Sequence, residues 1–148
     1  MKSTKTLLAL SSIALALAAP LVSQASATFQ GLTFTFNQTD ADTLTFQIQG
    51  TPTGNWAAAN YLGAFSLNDL GLNFTGGGAA TATLNGPGAT NLLGLGGQQN
   101  SSGSTCADNA GNKFVCFNIN PDIALAPYPI NFLYTIDFSQ NLNIAAAG

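Results

Sequence analysis

Residues 32–49 have the sequence LTFTFNQTDADTLTFQIQ, and their pattern decides the fold. Apolar and polar side chains alternate over residues 32–37 and again over residues 43–49. Strict alternation is typical of strands that bury one face and expose the other. Residues 38–42, which separate the two runs, are rich in turn-forming types. We therefore expect an antiparallel hairpin with one apolar and one polar face.

The rest of the chain also favours short strands. Glycine, asparagine and proline separate the further candidate strands, which are residues 61–67, 68–75, 79–84 and 130–138. The glycine-rich residues 96–104 are predicted to form a flexible loop, and flanking prolines restrict residues 122–126 to a short or edge strand. About eight short strands without an amphipathic helix predict an all-β fold. We expect an antiparallel β-sandwich or jelly-roll-like single domain over residues 28–148.

The N-terminus is typical of a Sec signal peptide. It has lysines near its start, an apolar run, and then Ala25 and Ala27, which supply an A-x-A cleavage sequence. We expect residues 1–27 to be removed by cleavage between Ala27 and Thr28. A membrane anchor is the alternative, but the apolar run is shorter than the roughly 20 residues of a spanning helix and contains Pro20. The mature chain is thus predicted to be exported and to have no membrane span.

The charge composition excludes several classes of function. After cleavage, Lys113 would be the single cation against six aspartates, a formal charge of −5 compared with −3 for the whole chain. Histidine, arginine and glutamate do not occur in the sequence. Without histidine there is no Ser-His-Asp or Cys-His relay and no imidazole ligand for zinc, so we expect a non-catalytic protein without a cofactor. A secreted hydrolase that uses aspartates alone remains an alternative.

The same composition bears on partners. One lysine cannot supply the several phosphate contacts on which nucleic-acid affinity depends, so no nucleic-acid partner is expected. Hydrophobic residues make up 46% of the chain and charged residues only 6%, so threonine, asparagine, glutamine and serine must make its surface polar. Such a surface gives little electrostatic repulsion between copies. We therefore expect association with further copies, with polysaccharide or with other matrix or surface components.

Cys106 and Cys116 are predicted to form a disulfide. They lie ten positions apart with Gly111 midway, as expected if they face each other across a hairpin with its loop at residues 108–112. A redox site would need a C-x-x-C spacing, a thiolate nucleophile would lack a histidine base, and a zinc site would lack two ligands. Closing so short a loop stabilises the fold by roughly 3 kcal/mol.

The sequence contains residues suited to two other kinds of site, for calcium and for sugars. Asn37, Asp40 and Asp42 place oxygen atoms close together in sequence, as does the segment at residues 108–112, and calcium prefers such ligands. No glutamate is present to close a calcium site in bidentate fashion, so solvated turns are the favoured interpretation and no metal is expected.

Trp56 and the tyrosines Tyr61, Tyr128 and Tyr134 could stack on sugar rings, which gives a carbohydrate-binding β-sandwich module as an alternative function. A single tryptophan beside a strand is more often a core anchor than a sugar-binding residue. The aromatic residues alone therefore leave both interpretations open.

The sequence resembles a known family in four segments. They follow a Sec signal and comprise a threonine-rich hairpin, a strand with its flanks, a glycine- and asparagine-rich block before a C-x9-C pair, and a late strand. In order, these segments are TFQGLTFTF, NWAAANYLGAFSLNDL, GLGGQQNSSGSTCADNAGNKFVCFNINPDIAL and FLYTIDFS. This arrangement is similar to that of the exported PEP-CTERM proteins of exopolysaccharide-producing Gram-negative bacteria.

The resemblance implies export, handling by exosortase, and a role at the cell surface or in an extracellular matrix associated with exopolysaccharide or biofilm. It transfers no functional residue to this chain. The tail that names the family, a Val-Pro-Glu-Pro-like motif with an apolar helix and a basic end, does not occur in the sequence, which closes with NIAAAG. A C-terminally truncated chain and a member that is sorted by another route are both compatible with this difference.

Overall fold

The alternating patterns form strands in the computed structural model, which describes residues 24–99, 105–107 and 113–143. Within these ranges there is one short 3₁₀ helix, at Gly54–Trp56, and no helix that is long and apolar enough to cross a membrane. The strands of the described residues are, in chain order, β1 (Gln24–Phe29), β2 (Leu32–Gln38), β3 (Thr43–Gly50), β4 (Tyr61–Leu67), β5 (Ala82–Gly86), β6 (Ala89–Leu93), β7 (Leu95–Gly96), β8 (Gln98–Gln99), β9 (Cys106–Ala107), β10 (Val115–Ala124) and β11 (Ile130–Phe138).

The strands assemble into two main antiparallel sheets. The larger sheet has six strands in the order β1-β2-β3-β11-β5-β6, and the smaller one has three in the order β4-β10-β7. The short strands β8 and β9 pair with each other. This arrangement is an all-β, sandwich-like single domain and confirms the predicted fold class.

The predicted hairpin is confirmed as β2 and β3. The two strands pair antiparallel with Phe36 opposite Phe46 and Phe34 opposite Ile48. The backbone N–H of Thr39 donates to the carbonyl of Thr43 at 3.0 Å and closes the turn. Because residues at even positions share one face in both strands, the apolar side chains of the hairpin point together toward the smaller sheet.

Aromatic side chains join the two sheets. The ring centroids of Phe46 on β3 and Phe65 on β4 are 5.1 Å apart, and Phe65 also lies 5.4 Å from Phe117 on β10 and from Tyr134 on β11. Phe117 and Tyr134 are completely buried. Burial of such large apolar surfaces is the main stabilising contribution to a fold of this kind.

The outer face of the six-stranded sheet is polar but almost uncharged. Cross-strand hydrogen bonds link its side chains, for example between the hydroxyls of Thr28 and Thr33 at 3.0 Å and from the Gln47 amide to Asn131 at 2.7 Å. Asp137 is the charged exception, and Leu93 and Leu133 are apolar exceptions. The uncharged polar members of this outer face include Gln24, Ser26, Thr28, Thr33, Thr35, Asn37, Thr43, Thr45, Gln47, Gln49, Thr83, Asn131 and Thr135.

The predicted strand at residues 68–75 is wrong. Asp69 and Gly71 have positive φ angles of 58° and 70°, which take the backbone out of the extended region. The alternation nevertheless has a structural meaning, because Leu70, Leu72 and Phe74 are all buried. This segment contributes side chains to the core without joining a sheet.

The predicted disulfide between Cys106 and Cys116 is present, with the two Cα atoms 5.7 Å apart. The two cysteines do not meet across a hairpin, although a hairpin was expected. Cys106 on β9 pairs with Gln99 of β8, whereas Cys116 on β10 pairs with Ser66 and with Leu95 of β7. The glycine-rich segment that was predicted to be a loop supplies β7 and β8, and these strands occupy the pairing positions beside β10 and β9. Residues 108–112, the expected hairpin loop, lie outside the described residues.

The segment expected to be a short or edge strand, residues 122–126, supplies the last three residues of β10, whose pairing there is with β4 alone. β10 is ten residues long and central in its sheet. It tolerates Pro121 because its pairing with β4 shifts between Asn118 and Ile123, so no ladder hydrogen bond is required from the proline nitrogen.

Candidate binding cleft

An apolar cleft with a volume of about 650 Å³ lies between the two sheets. One wall is the inner face of β2 and β3, including Phe34 and Phe36, and the facing wall is β4, including Phe65. Seven of its eighteen lining residues are aromatic. The volume falls within the range typical of small-molecule binding sites.

The cleft stays open because the larger sheet extends beyond the smaller one. Among the described residues, β4 is the edge strand of the smaller sheet, and it faces β2 across the cleft. β1 places Ala25 opposite Phe36 and Ala27 opposite Phe34, and Ala27 lines the cleft. Since an alanine contributes only a methyl group, β1 pairs with the backbone of β2 without filling the space beside its phenylalanines.

Among the described residues, none that lines the cleft carries a charged side chain. The polar side-chain groups of the lining are the indole N–H of Trp56 and the hydroxyls of Tyr61 and Ser66. A charged ligand buried here would lose its hydration without gaining an ion pair, which is strongly unfavourable. The cleft therefore suits a neutral ligand with a large apolar surface and few hydrogen-bonding groups.

Trp56 stands at the mouth of the cleft and is 37% exposed. Its ring packs edge-on against Phe29 and Phe34, with centroid distances of 5.2 and 6.0 Å. Its backbone N–H donates to the side-chain oxygen of Gln30 at 3.0 Å, and the N–H of Thr53 donates to the Gln30 carbonyl at 2.8 Å. The turn between β1 and β2 thus fixes the loop that carries the tryptophan.

Gly31 makes this connection possible. Its φ is +80°, and a side chain at this position would collide with the carbonyl oxygen of Thr51. Only glycine adopts this backbone conformation without strain while allowing so close an approach. The position of the Trp56 loop therefore depends on this residue.

The structure separates the tyrosines that were candidates for stacking on sugars. Tyr61 lines the cleft and is 63% exposed, while Tyr128 is 40% exposed and donates its hydroxyl to the carbonyl of Ala59 at 3.0 Å. Tyr134 is fully buried, so the prediction that it could stack on a sugar is wrong. Burial also raises the pKa of Tyr134 to about 12, and its hydroxyl has no hydrogen-bond partner among the described residues.

The residues considered for calcium are arranged as a turn. The backbone N–H of Asp42 donates to the Asp40 carboxylate at 3.2 Å, and hydrogen bonding with Thr43 and with Asp42 lowers the pKa of Asp40. Asn37 lies on the outer face of β2. Within residues 24–99, 105–107 and 113–143, no three acidic, cysteine or histidine side chains come together as a metal-binding group. The second calcium candidate, residues 108–112, lies outside the described residues.

The predicted cleavage site lies in a strand. Ala25, Ala27 and Thr28 all belong to β1, whose six residues pair with β2 and are exposed. Cleavage between Ala27 and Thr28 stays a prediction. It would remove the first four of the six residues of β1.

Sequence reasoning found two of the cleft residues, Trp56 and Tyr61, but missed its walls. The alternation in β2 and β3 correctly assigned Phe36 and Phe46 to the apolar side of the hairpin, whereas Phe65 was predicted to lie in a strand without being assigned to a face. No sequence signal indicated that the opposing sheet would leave a cleft beside β2.

Comparisons of the chain with models of protein families, with curated proteins and with solved structures find no significant match. A function for the cleft is therefore argued from its geometry and chemistry.

Proposed function

We propose that this chain is an exported, non-catalytic binding protein of the cell surface or extracellular matrix, and that its cleft holds a neutral, largely apolar ligand. The observation that carries the proposal is the cleft itself, which has a volume of about 650 Å³ and, among the described residues that line it, seven aromatic side chains and no charged one. Desolvation of apolar surface provides the affinity in such a site, at roughly 25 cal/mol per Å² buried.

The composition of the chain supports the non-catalytic part of the proposal. Histidine is absent from the sequence, and none of the five aspartates in the described ranges lines the cleft. General acid–base catalysis needs a titratable group within hydrogen-bond reach of the reacting atoms. Of the lining residues that the structure describes, only Tyr61 has a titratable side chain.

The exported part of the proposal is supported by the signal-like N-terminus and by the disulfide, which is typical of oxidising compartments. Fractionation of the native cells tests it. We expect the processed protein, with Thr28 at its N-terminus, in the periplasm, on the surface or in the surrounding matrix that contains exopolysaccharide. Recovery of only the unprocessed chain from the cytoplasm would contradict export.

Trp56 makes ligand binding directly measurable because it is the single tryptophan of the chain. Titration with decanol, a neutral apolar probe, is expected to shift its emission saturably. Phe34→Gln should weaken this binding about tenfold, equivalent to about 1.4 kcal/mol. Leu133→Gln is the matched control, since Leu133 is an exposed apolar residue on the opposite face of the same sheet. An unshifted emission, or equal weakening by both variants, would contradict the apolar site.

Carbohydrate binding is a second candidate, favoured by the exposure of Trp56 and Tyr61 at the mouth of the cleft. Exposed aromatic rings can stack on the apolar faces of sugars. Titration with cellohexaose distinguishes this candidate from the first. A saturable shift of Trp56 emission that Tyr61→Ala weakens and Leu133→Ala does not would favour the sugar, and no response to cellohexaose would exclude this neutral glucan as a ligand.

A further inference from the structure

We infer that removal of the leader turns β2 into a free edge and that two processed chains pair through it, with Thr35 of one copy opposite Thr35 of the other. The inference rests on the proposed export, because it requires cleavage between Ala27 and Thr28. Before cleavage, all six residues of β1 pair with β2. After cleavage, only Thr28 and Phe29 of that strand remain.

β2 lacks the features that usually prevent edge strands from pairing. Its sequence, LTFTFNQ, contains neither a charge nor a proline, and its pairing with β3 is continuous from Leu32 to Gln38. Natural sheets protect their edges with charges, prolines, bulges or short strands. The opposite edge has such protection, because β6 is only five residues long, its pairing with β5 shifts in register, and Asn91 within it has a positive φ of 49°.

A second copy fits this edge without a mismatch of faces. Antiparallel pairing centred on Thr35 places Phe34 opposite Phe36 of the other copy and Thr33 opposite its Asn37, so Thr28, the new N-terminal residue, leaves its place opposite Thr33. Residues at even positions of β2 belong to the apolar inner face, so both inner faces lie on the same side of the joined sheet. Such a contact is self-complementary, as a two-fold dimer requires.

The cleft gives this pairing a driving force. In the unprocessed chain Ala25 and Ala27 stand beside Phe36 and Phe34. In the dimer, phenylalanines of the second copy take the places of these two methyl groups, and the apolar surface that they cover is removed from water.

The charges near the edge do not oppose association. In the same register, the β2–β3 turn of one copy, which carries Asp40 and Asp42, lies toward the β1–β2 turn of the other copy, so the aspartates of the two β2–β3 turns do not meet. No lysine or aspartate lies within β1 or β2.

The mass of the exported protein tests the inference. The chain is exported behind its own leader and, in parallel, behind a leader that is removed immediately before Gln24, and both products are measured by sedimentation equilibrium. We expect twice the monomer mass for the form that starts at Thr28 and the monomer mass for the form that starts at Gln24. A monomeric Thr28 form, a dimeric Gln24 form or a broad distribution of larger species would overturn the pairing.

Charge variants test the register. Thr35→Lys and Thr35→Asp should each be monomeric, because like charges would lie directly opposite each other, and an equimolar mixture of the two should recover the dimer. Thr135→Lys is the matched control on the same face in the middle of the sheet, and it should remain dimeric. Dimeric single variants, or a mixture that stays monomeric, would contradict the register.

The two proposals fail separately. If the native N-terminus is not Thr28, the proposed processing is wrong, whereas the comparison of the Thr28 and Gln24 forms with exchanged leaders still decides whether β2 pairs with itself.

Discussion

Phe46 and Phe65 come from different sheets, and their rings meet at a centroid distance of 5.1 Å. Phe65 is 8% exposed and also contacts Phe117 and Tyr134, so its side chain lies where the two sheets are joined. Both rings also line the cleft, together with Phe34 and Phe36 of β2. The Phe46–Phe65 pair therefore lies where the filled part of the sandwich meets the cleft.

Phe65→Ala should lower the free energy of unfolding by about 3–5 kcal/mol, because it removes a large buried side chain and leaves a cavity. Urea denaturation measures this change. Leu133→Ala is the control, since Leu133 is 55% exposed and its truncation should change the stability by no more than about 0.5 kcal/mol. Similar losses in the two variants would show that Phe65 does not join the sheets as described.

The disulfide should contribute roughly 3 kcal/mol of stability, because it restricts the unfolded chain between Cys106 and Cys116. Adding a reducing agent should lower the denaturation midpoint by the corresponding amount. The double variant Cys106→Ala/Cys116→Ala serves as the control, since its midpoint should be the same with and without the reductant. An unchanged midpoint of the natural protein after verified reduction would contradict a stabilising bridge.

Gly31→Ala should destabilise the protein by at least about 1 kcal/mol, because alanine is strained at a φ of +80° and its methyl group would collide with Thr51. Displacement of the adjoining loop should also shift the emission of Trp56. Gly77→Ala is the matched control, since nothing lies within 4 Å of the added methyl group. Equal stability of the two variants would contradict the tight approach at Gly31.

Because Tyr134 is buried, the protein should lose stability in alkaline solution. Burial raises its pKa from 10.0 to about 12, so between these pH values the unfolded chain has lost the phenolic proton while the folded chain retains it. The free energy of unfolding therefore falls as the pH rises through this window. Denaturation midpoints between pH 9 and pH 12 provide the measurement.

Tyr134→Phe should reduce this pH dependence and should stabilise the protein at neutral pH by about 1 kcal/mol, since an unpaired buried hydroxyl is removed. Tyr61→Phe is the control, because Tyr61 is 63% exposed and its hydroxyl already reaches water. A large loss of stability in Tyr134→Phe would indicate that the hydroxyl has a partner outside the described residues.

The sequence predicted those elements whose pattern depends on burial alone. β2, β3 and β11 each alternate without interruption, and their observed bounds differ from the predicted ones by at most one residue. Where alternation and backbone geometry disagree, the sequence predicted the burial of the side chains but not the backbone conformation. Leu70, Leu72 and Phe74 are buried as their spacing indicates, but Asp69 and Gly71 prevent the segment from forming a strand.

Features that depend on distant pairing were not predictable in the same way. β7 and β8 are two residues long and come from a glycine-rich segment, and β7 forms because β10 offers it a free edge. The cleft is a similar case, because it exists only where six strands face three. A local pattern specifies which side chains avoid water, but not how many strands the opposing sheet contributes.

The polar groups that bind water on the outer face of the six-stranded sheet are mainly hydroxyls and amides. Apart from Asp137, these groups neither titrate nor attract counterions. Dissolved salt screens charges and leaves uncharged dipoles almost unaffected. The hydration of this face should therefore be nearly the same in fresh water and in sea water. A surface kept in solution by carboxylates would respond to both salinity and acidity.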